Sequence, residues 1–98
     1  GPYTGDELVV EMADGVAGFV HSKATFNCCM DSVTLELDSA GGVLRVIETE
    51  HTAEACRCIC DFTVHGEIYD LASGRYTLEV VSSADPKTVL CSAGFEVP

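Results

Sequence analysis

Seven short runs of β-branched and aromatic residues, separated by turn residues, constrain the fold of this chain more than any other feature. The runs cover residues 8–12, 16–26, 32–37, 43–48, 58–69, 75–82 and 88–97. No stretch keeps a helical period for two turns, so the pattern predicts an all-β chain. Seven short strands are typical of a two-sheet antiparallel sandwich. At 98 residues the chain has room for one such domain, residues 1–98.

Alternation of apolar and polar residues gives each run an inward face. We expect core positions at Val33, Leu35 and Leu37 in the third run and at Tyr76, Leu78 and Val80 in the sixth. In the fifth run the same period puts Cys58 and Cys60 in phase with the apolar side. Asp14-Gly15 predicts a two-residue hairpin, because both residues tolerate positive φ. Residues 1–6 are expected to be a flexible lead, and their Gly1-Pro2 start resembles a tag-cleavage scar.

The charge balance limits the partners. Lys+Arg 5 against Asp+Glu 16 gives a net charge of −11, which repels nucleic acid and anionic lipid surfaces. A hydrophobic content of 47% with 21% charged residues is too apolar for a disordered acidic tail. No window is long and apolar enough for a membrane span, and any targeting segment or lipid anchor would lie outside this sequence.

Six cysteines are expected at one end of the sandwich. Cys28 and Cys29 lie between the second and third runs, Cys91 lies near the start of the seventh, and Cys56, Cys58 and Cys60 lead into the fifth. In the common sandwich topology the second run pairs antiparallel with the fifth, and these connections meet at the same pole. The clustering predicts a joint purpose for all six.

Structural disulfides are the first interpretation of this cluster. Neighbouring cysteines on one face of a strand lie about 6.6 Å apart, at the upper edge of what a bridge allows, and adjacent cysteines bridge only with strain. Cys56, Cys58 and Cys60 should therefore pair with Cys28, Cys29 and Cys91 in three bridges, with the order of pairing open.

A thiolate metal site is the alternative. Cys28, Cys29, Cys56, Cys58 and Cys60 could bind Cu⁺ or Zn²⁺, with His51 as an additional ligand. The spacing is not typical of structural zinc and fits Cu⁺ better. A second alternative is a thiol–disulfide redox protein with Cys58-x-Cys60 as its redox pair, for which Arg57 is the only cation nearby in the sequence.

Other titratable residues are expected to be structural or solvated. His21, His51 and His65 are too far apart in the strand arrangement for a three-histidine site. His65 is expected in solvent, and His21 is expected to be partly covered beside Phe19. The chain has no Gly-x-Ser-x-Gly, His-Glu-x-x-His or P-loop motif, so hydrolase and nucleotide chemistry are disfavoured. We therefore expect a protein that is not an enzyme.

Two sequence patterns resemble those of known protein families. Residues 71–80, with Tyr76 as the corner residue, resemble the turn and strand between the fifth and sixth strands of immunoglobulin-like and fibronectin-III-like domains. The wider pattern Cys-Cys, Cys-x-Cys-x-Cys-Asp-Phe and Leu-x-x-Gly-x-Tyr-x-Leu is similar to a group of small exported or lipid-anchored bacterial proteins. Its matching residues here are Cys28, Cys29, Cys56, Cys58, Cys60, Asp61, Phe62, Leu71, Gly74, Tyr76 and Leu78.

The resemblances imply an immunoglobulin-like sandwich in a cell-envelope setting and bring no activity with them. Cys91 is an extra cysteine relative to the pattern, and the five cysteines of the pattern would suit either two bridges with a free thiol or a metal-binding cluster. The chain is therefore expected to be a secreted, periplasmic or cell-envelope β-sandwich with structural disulfides at one pole. Its partner would be an unknown protein or a soft metal ion.

Overall fold

The computed structural model describes residues 5–98, and these residues form seven strands. The strands are β1 (Glu7–Ala13), β2 (Val16–Asn27), β3 (Ser32–Ala40), β4 (Val43–His51), β5 (Ile59–Ile68), β6 (Gly74–Ser82) and β7 (Asp85–Val97). Each predicted run becomes a strand, which confirms the all-β class. Most strands are longer than predicted, and β7 begins at Asp85 rather than at Thr88. The first four residues of the expected flexible lead lie outside the described residues.

The strands form two sheets, in the orders β1-β2-β5 and β3-β4-β6-β7. The expected antiparallel pairing of β2 with β5 is confirmed, with Phe26 opposite Cys60. The expectation of an entirely antiparallel sandwich is wrong at one pair, because β4 runs parallel to β6, with Val46 opposite Val80. β4 has an apolar inward face and takes the interior position in its sheet. The more polar β3 is left at the edge, where charged side chains are favoured.

The core lies between the two sheets. It is built from Ala17, Phe19 and Ile68 of the first sheet and Leu44, Val46, Leu78 and Val80 of the second. The predicted inward positions of the sixth run are confirmed, since Leu78 and Val80 are fully buried and Tyr76 packs against the core.

The inward face predicted for the third run is only partly covered. Leu35 is 39% exposed and Leu37 is 50% exposed. Leu35 and Leu37 line an open cleft with Phe19 and Ile68 of the opposing sheet, so edge strand β3 faces that sheet without being fully covered by it. The apolar period of β3 was correct, but the expected burial of these two leucines was wrong.

A β-bulge in β2 changes which residues face inward. The register against β5 shifts between His21 and Ala24, and Lys23 within the shift has a φ of 57°. As a result His21 and Ala24 are both buried although three positions separate them. Bulges redirect side chains in this way, and this one turns the end of β2 toward the cysteine-rich end of the sandwich.

Two local turns follow the sequence closely. Asp14 and Gly15 have φ values of 52° and 78°, as a two-residue hairpin turn between β1 and β2 requires. The Tyr76 hydroxyl donates a hydrogen bond to the Ala72 carbonyl oxygen at 2.7 Å. This contact across the corner before β6 is the one that the resemblance to immunoglobulin-like domains implies.

Candidate functional site

Five cysteines meet where β2 ends and β5 begins. Cys28 and Cys29 form the turn after β2, Cys56 and Cys58 lie in the segment before β5, and Cys60 is the second residue of β5. The pairing of β2 with β5 holds these segments side by side, and the Cys28 N–H donates to the Cys58 carbonyl oxygen at 3.1 Å. We call these five residues the cysteine cluster.

Asn27, the last residue of β2, fixes the backbone of the cluster. Its amide Nδ2 donates to the Cys56 carbonyl oxygen at 2.7 Å. Its Oδ1 accepts from the backbone N–H of Cys29 at 2.9 Å and from that of Cys56 at 3.1 Å. One side chain therefore joins the β2–β3 turn to the segment before β5. Sequence reasoning did not identify Asn27, although an Asn before a turn is a typical side-chain acceptor for backbone N–H groups.

Two disulfides cross the cluster. Cys28 is bonded to Cys60 and Cys29 to Cys56, with Cα–Cα distances of 4.9 and 5.7 Å. Both bridges agree with the expected pairing between the two halves of the cluster. The third expected bridge is not formed, since Cys58 and Cys91 are free. The disulfides indicate an oxidising, extracellular type of environment.

Cys91 is not part of the cysteine cluster. Because β7 begins at Asp85, Cys91 lies well inside the strand, opposite Val80, rather than at its start. It is half-buried and packs against the core. The expectation that all six cysteines gather at one pole is therefore wrong for Cys91.

The Cys58 thiol lies among the bridged sulfurs. Its Sγ is 3.6 Å from the Cys56 Sγ. The Sγ atoms of Cys28, Cys58 and Cys60 all lie within 4.8 Å of one another. Cys58 is exposed, so a solvent-accessible thiol touches one bridge and lies beside the other.

His51, the expected additional ligand, lies beside the β2–β3 turn, where its carbonyl oxygen accepts a hydrogen bond from the Asp31 N–H at 2.8 Å. It is the last residue of β4 and is exposed, and its Nε2 is 2.9 Å from the Thr34 hydroxyl. Within residues 5–98, the group of ligand atoms close enough to share an ion contains three cysteines without His51. His65 is exposed, as expected for a solvated histidine.

A buried ionic cluster that sequence reasoning missed lies between the sheets. His21 is 1% exposed, and its Nδ1 is 2.7 Å from Glu48 Oε2 while its Nε2 is 2.6 Å from Asp6 Oδ1. Burial disfavours the imidazolium, but the surrounding Cys91, Glu48 and Asp6 side chains outweigh burial and raise the pKa of His21 to about 10. His21 is therefore charged at neutral pH.

The sequence contained part of this signal. Glu48 follows Leu44 and Val46 at alternate positions of β4, so period 2 already places its carboxylate inward beside the core. Asp6 lies in residues 1–6, which we expect from the sequence to be a flexible lead. Its side chain is 8% exposed and is held by His21.

The chain matches no family model, no curated protein and no solved structure. Within residues 5–98 no helix is long and apolar enough to cross a membrane.

Proposed function

We propose that the chain is a non-enzymatic structural or binding module of an oxidising compartment: secreted, periplasmic or attached to the cell envelope. The observation that carries the proposal is the pair of disulfides joining the turn after β2 to the segment that enters β5. Cytosolic thiols are kept reduced, so two structural bridges in a small domain favour an extracytoplasmic location.

The bridges fit the energetic needs of a small sandwich. They join residues 32 and 27 positions apart, and closing one loop of this length is worth about 3.5 kcal/mol. The two bridges enclose nearly the same loop, so the second bridge adds less than the first. A domain of 98 residues has a modest core, and total stabilities of such domains are about 5–15 kcal/mol. Loss of both bridges should therefore remove a large fraction of the stability.

The proposal includes an immunoglobulin-like fold. The Tyr76–Ala72 hydrogen bond and the β2–β5 pairing support it. The parallel β4–β6 pair departs from the usual arrangement, so we propose a variant of that fold in which β4 joins the sheet of β6 and β7. The resemblance to exported or lipid-anchored bacterial proteins supports the same location.

Intact mass of protein isolated from an oxidising compartment tests the proposal. We expect a mass lower than that of the fully reduced chain by the four hydrogens of two bridges, with two thiols alkylated after denaturation. Reduction should lower the unfolding midpoint strongly, because both loop constraints are lost. Six alkylatable thiols, or a midpoint unchanged by reduction, would overturn the proposal.

A second candidate function is binding of a soft metal ion. The three close sulfurs of Cys28, Cys58 and Cys60 support it, since thiolates suit Cu⁺ and Zn²⁺. Two of these sulfurs form one of the disulfides, so the same atoms cannot staple the sandwich and bind a metal at once. Metal binding would therefore require the reduced protein.

Titration of the reduced, desalted protein with Cu⁺ against a coloured copper chelator tests this candidate. We expect the parent to compete for one Cu⁺ per chain and the double variant Cys58→Ser, Cys60→Ser to lose this competition. Cys91→Ser is the matched control, because Cys91 lies outside the cluster, and it should bind like the parent. Equal affinity of the double variant and the parent would exclude the site.

A further inference from the structure

We propose that Cys58 is the nucleophile of an internal thiol–disulfide exchange that moves the bridges among the five sulfurs of the cysteine cluster. The inference deepens the proposed function and rests on its two disulfides. It assigns a chemical role to the cysteine that the stapling of the sandwich leaves unused.

The placement of the Cys58 sulfur is the main evidence. At 3.6 Å from the Cys56 Sγ it is in van der Waals contact with one atom of the Cys29–Cys56 bridge. Both sulfurs of the Cys28–Cys60 bridge lie within 4.8 Å of it. Exchange proceeds when a thiolate attacks a disulfide sulfur, and holding the reacting atoms about 3–3.5 Å apart replaces a bimolecular encounter with an intramolecular step.

Access to solvent supports the same role. Cys58 is exposed, and so is Cys29. Water can accept the proton that Cys58 loses and return a proton to the sulfur that leaves. Cys91 is free as well, but it is packed against the core in β7 and away from the cluster, so Cys58 is the thiol placed for attack.

The exchange balances without an external oxidant. The Cys58 thiolate attacks the Cys56 Sγ, the Cys56–Cys58 bond forms, and the Cys29–Cys56 bond breaks. Cys29 leaves as a thiolate and takes up the proton that Cys58 gave to water. The number of disulfides and of thiols is unchanged, so the step is an isomerisation.

Attack on the other bridge gives further isomers of the same oxidation state. Attack on Cys60 forms a Cys58–Cys60 bond and releases Cys28, and attack on Cys28 forms a Cys28–Cys58 bond and releases Cys60. The Cys56–Cys58 and Cys58–Cys60 products each replace a bridge from the β2–β3 turn with a bridge inside residues 56–60. Either exchange therefore releases one of the two cysteines of the β2–β3 turn without reducing the protein.

The sequence places the thiol of the starting state and the thiol of the main isomer on different tryptic peptides. Trypsin cuts after Arg45, Arg57 and Arg75. The cuts place Cys28 and Cys29 on one peptide, Cys56 on a second, and Cys58 with Cys60 on a third. Blocking every free thiol of the native protein at mildly acid pH, before digestion, fixes the isomers present at that moment.

After different times at pH 8 the free thiols are blocked, and the remaining bridges are then reduced and alkylated with a second reagent of different mass. Fragmentation of the tryptic peptides in the mass spectrometer then maps which cysteine carries the first blocking group. We expect the group on Cys58 to decline as it rises on Cys29, with a smaller rise on Cys28 or Cys60, while Cys91 stays constant. In Cys58→Ser the groups on Cys28, Cys29 and Cys60 should be lost, because no thiol is left within reach of the bridges. Cys58→Ala provides a second test of the same loss.

The outcomes separate this inference from the proposed function. Two bridges with a blocking group confined to Cys58 and Cys91 at all times would overturn the exchange and leave the stapled module intact. Six alkylatable thiols in the intact protein would overturn both, whereas a third bridge that includes Cys58 would overturn the exchange alone. If neither Cys58 variant folds, the time course of the unmodified protein decides the question alone.

Discussion

A positive charge inside a small sandwich costs free energy unless opposite charges meet it. His21 meets two, Glu48 across the sheets and Asp6 just before β1. Glu48 Oε1 has no hydrogen-bond partner within the described residues. The ion pair with His21 therefore offsets the free-energy cost of burying the Glu48 carboxylate. The cluster also fastens the start of β1 to the interior, since Asp6 lies just before β1 and its carboxylate contacts His21.

This arrangement predicts how stability depends on pH. The pKa of His21 is raised from 6.5 to about 10 in the folded protein, so folding favours the protonated ring. Its contribution is complete below pH 6.5, falls as pH rises above that value, and is lost once pH passes about 10. Urea unfolding between pH 6 and 10, in a Cys58→Ser background that removes the thiol beside the bridges, should show the free energy of unfolding fall across this range.

The matched control is His65→Asn, which changes an exposed histidine on β5 and should keep the same slope. His21→Gln should unfold more easily at pH 6 and should lose most of the slope, because the titrating group is gone. A slope that persists unchanged in His21→Gln would show that other groups cause the pH dependence.

At the scale of strands, the period of two fixes how many strands form and which face each one buries. The fifth run shows this well, because Phe62 and Val64 alternate with exposed residues as predicted. The bulge in β2 follows no such rule, since the extra residue at Ser22–Lys23 depends on the pairing with β5. The packing of the Phe19 ring over Gly66 also depends on the pairing of β2 with β5. Any side chain at Gly66 would overlap that ring.

For the candidate site as well, the sequence predicted the strand pairing but not the contacts that depend on it. The second and fifth runs had to pair for Cys28 and Cys29 to meet the cysteines around Cys60, and that pairing follows a common sandwich rule. Which sulfurs bond depends on ångström-scale placement that no spacing encodes, so the sequence did not predict that Cys58 is the cysteine left unbonded. The wrong prediction for Cys91 has a similar cause, because the position of Cys91 depends on where β7 begins.

Over the whole molecule the acidic charge should oppose folding. The net charge is −11, and three of the cationic side chains already pair with Glu7, Glu79 and Glu96. Compact folding brings the remaining carboxylates together, whereas the exposed pairs are worth only about 0–1 kcal/mol each.

Salt should therefore stabilise this protein. Raising KCl from 10 to 300 mM shortens the screening length from about 30 Å to less than 10 Å, which weakens the repulsion more than the short contacts. A gain of about 1 kcal/mol would raise the Tm by roughly 4–8 °C for a domain of this size, and a thermal melt followed by circular dichroism measures it. Glu36→Lys, an exposed change on edge strand β3, should raise the Tm at low salt and reduce its rise with KCl. A Tm that falls with KCl would mean that the ion pairs outweigh the repulsion.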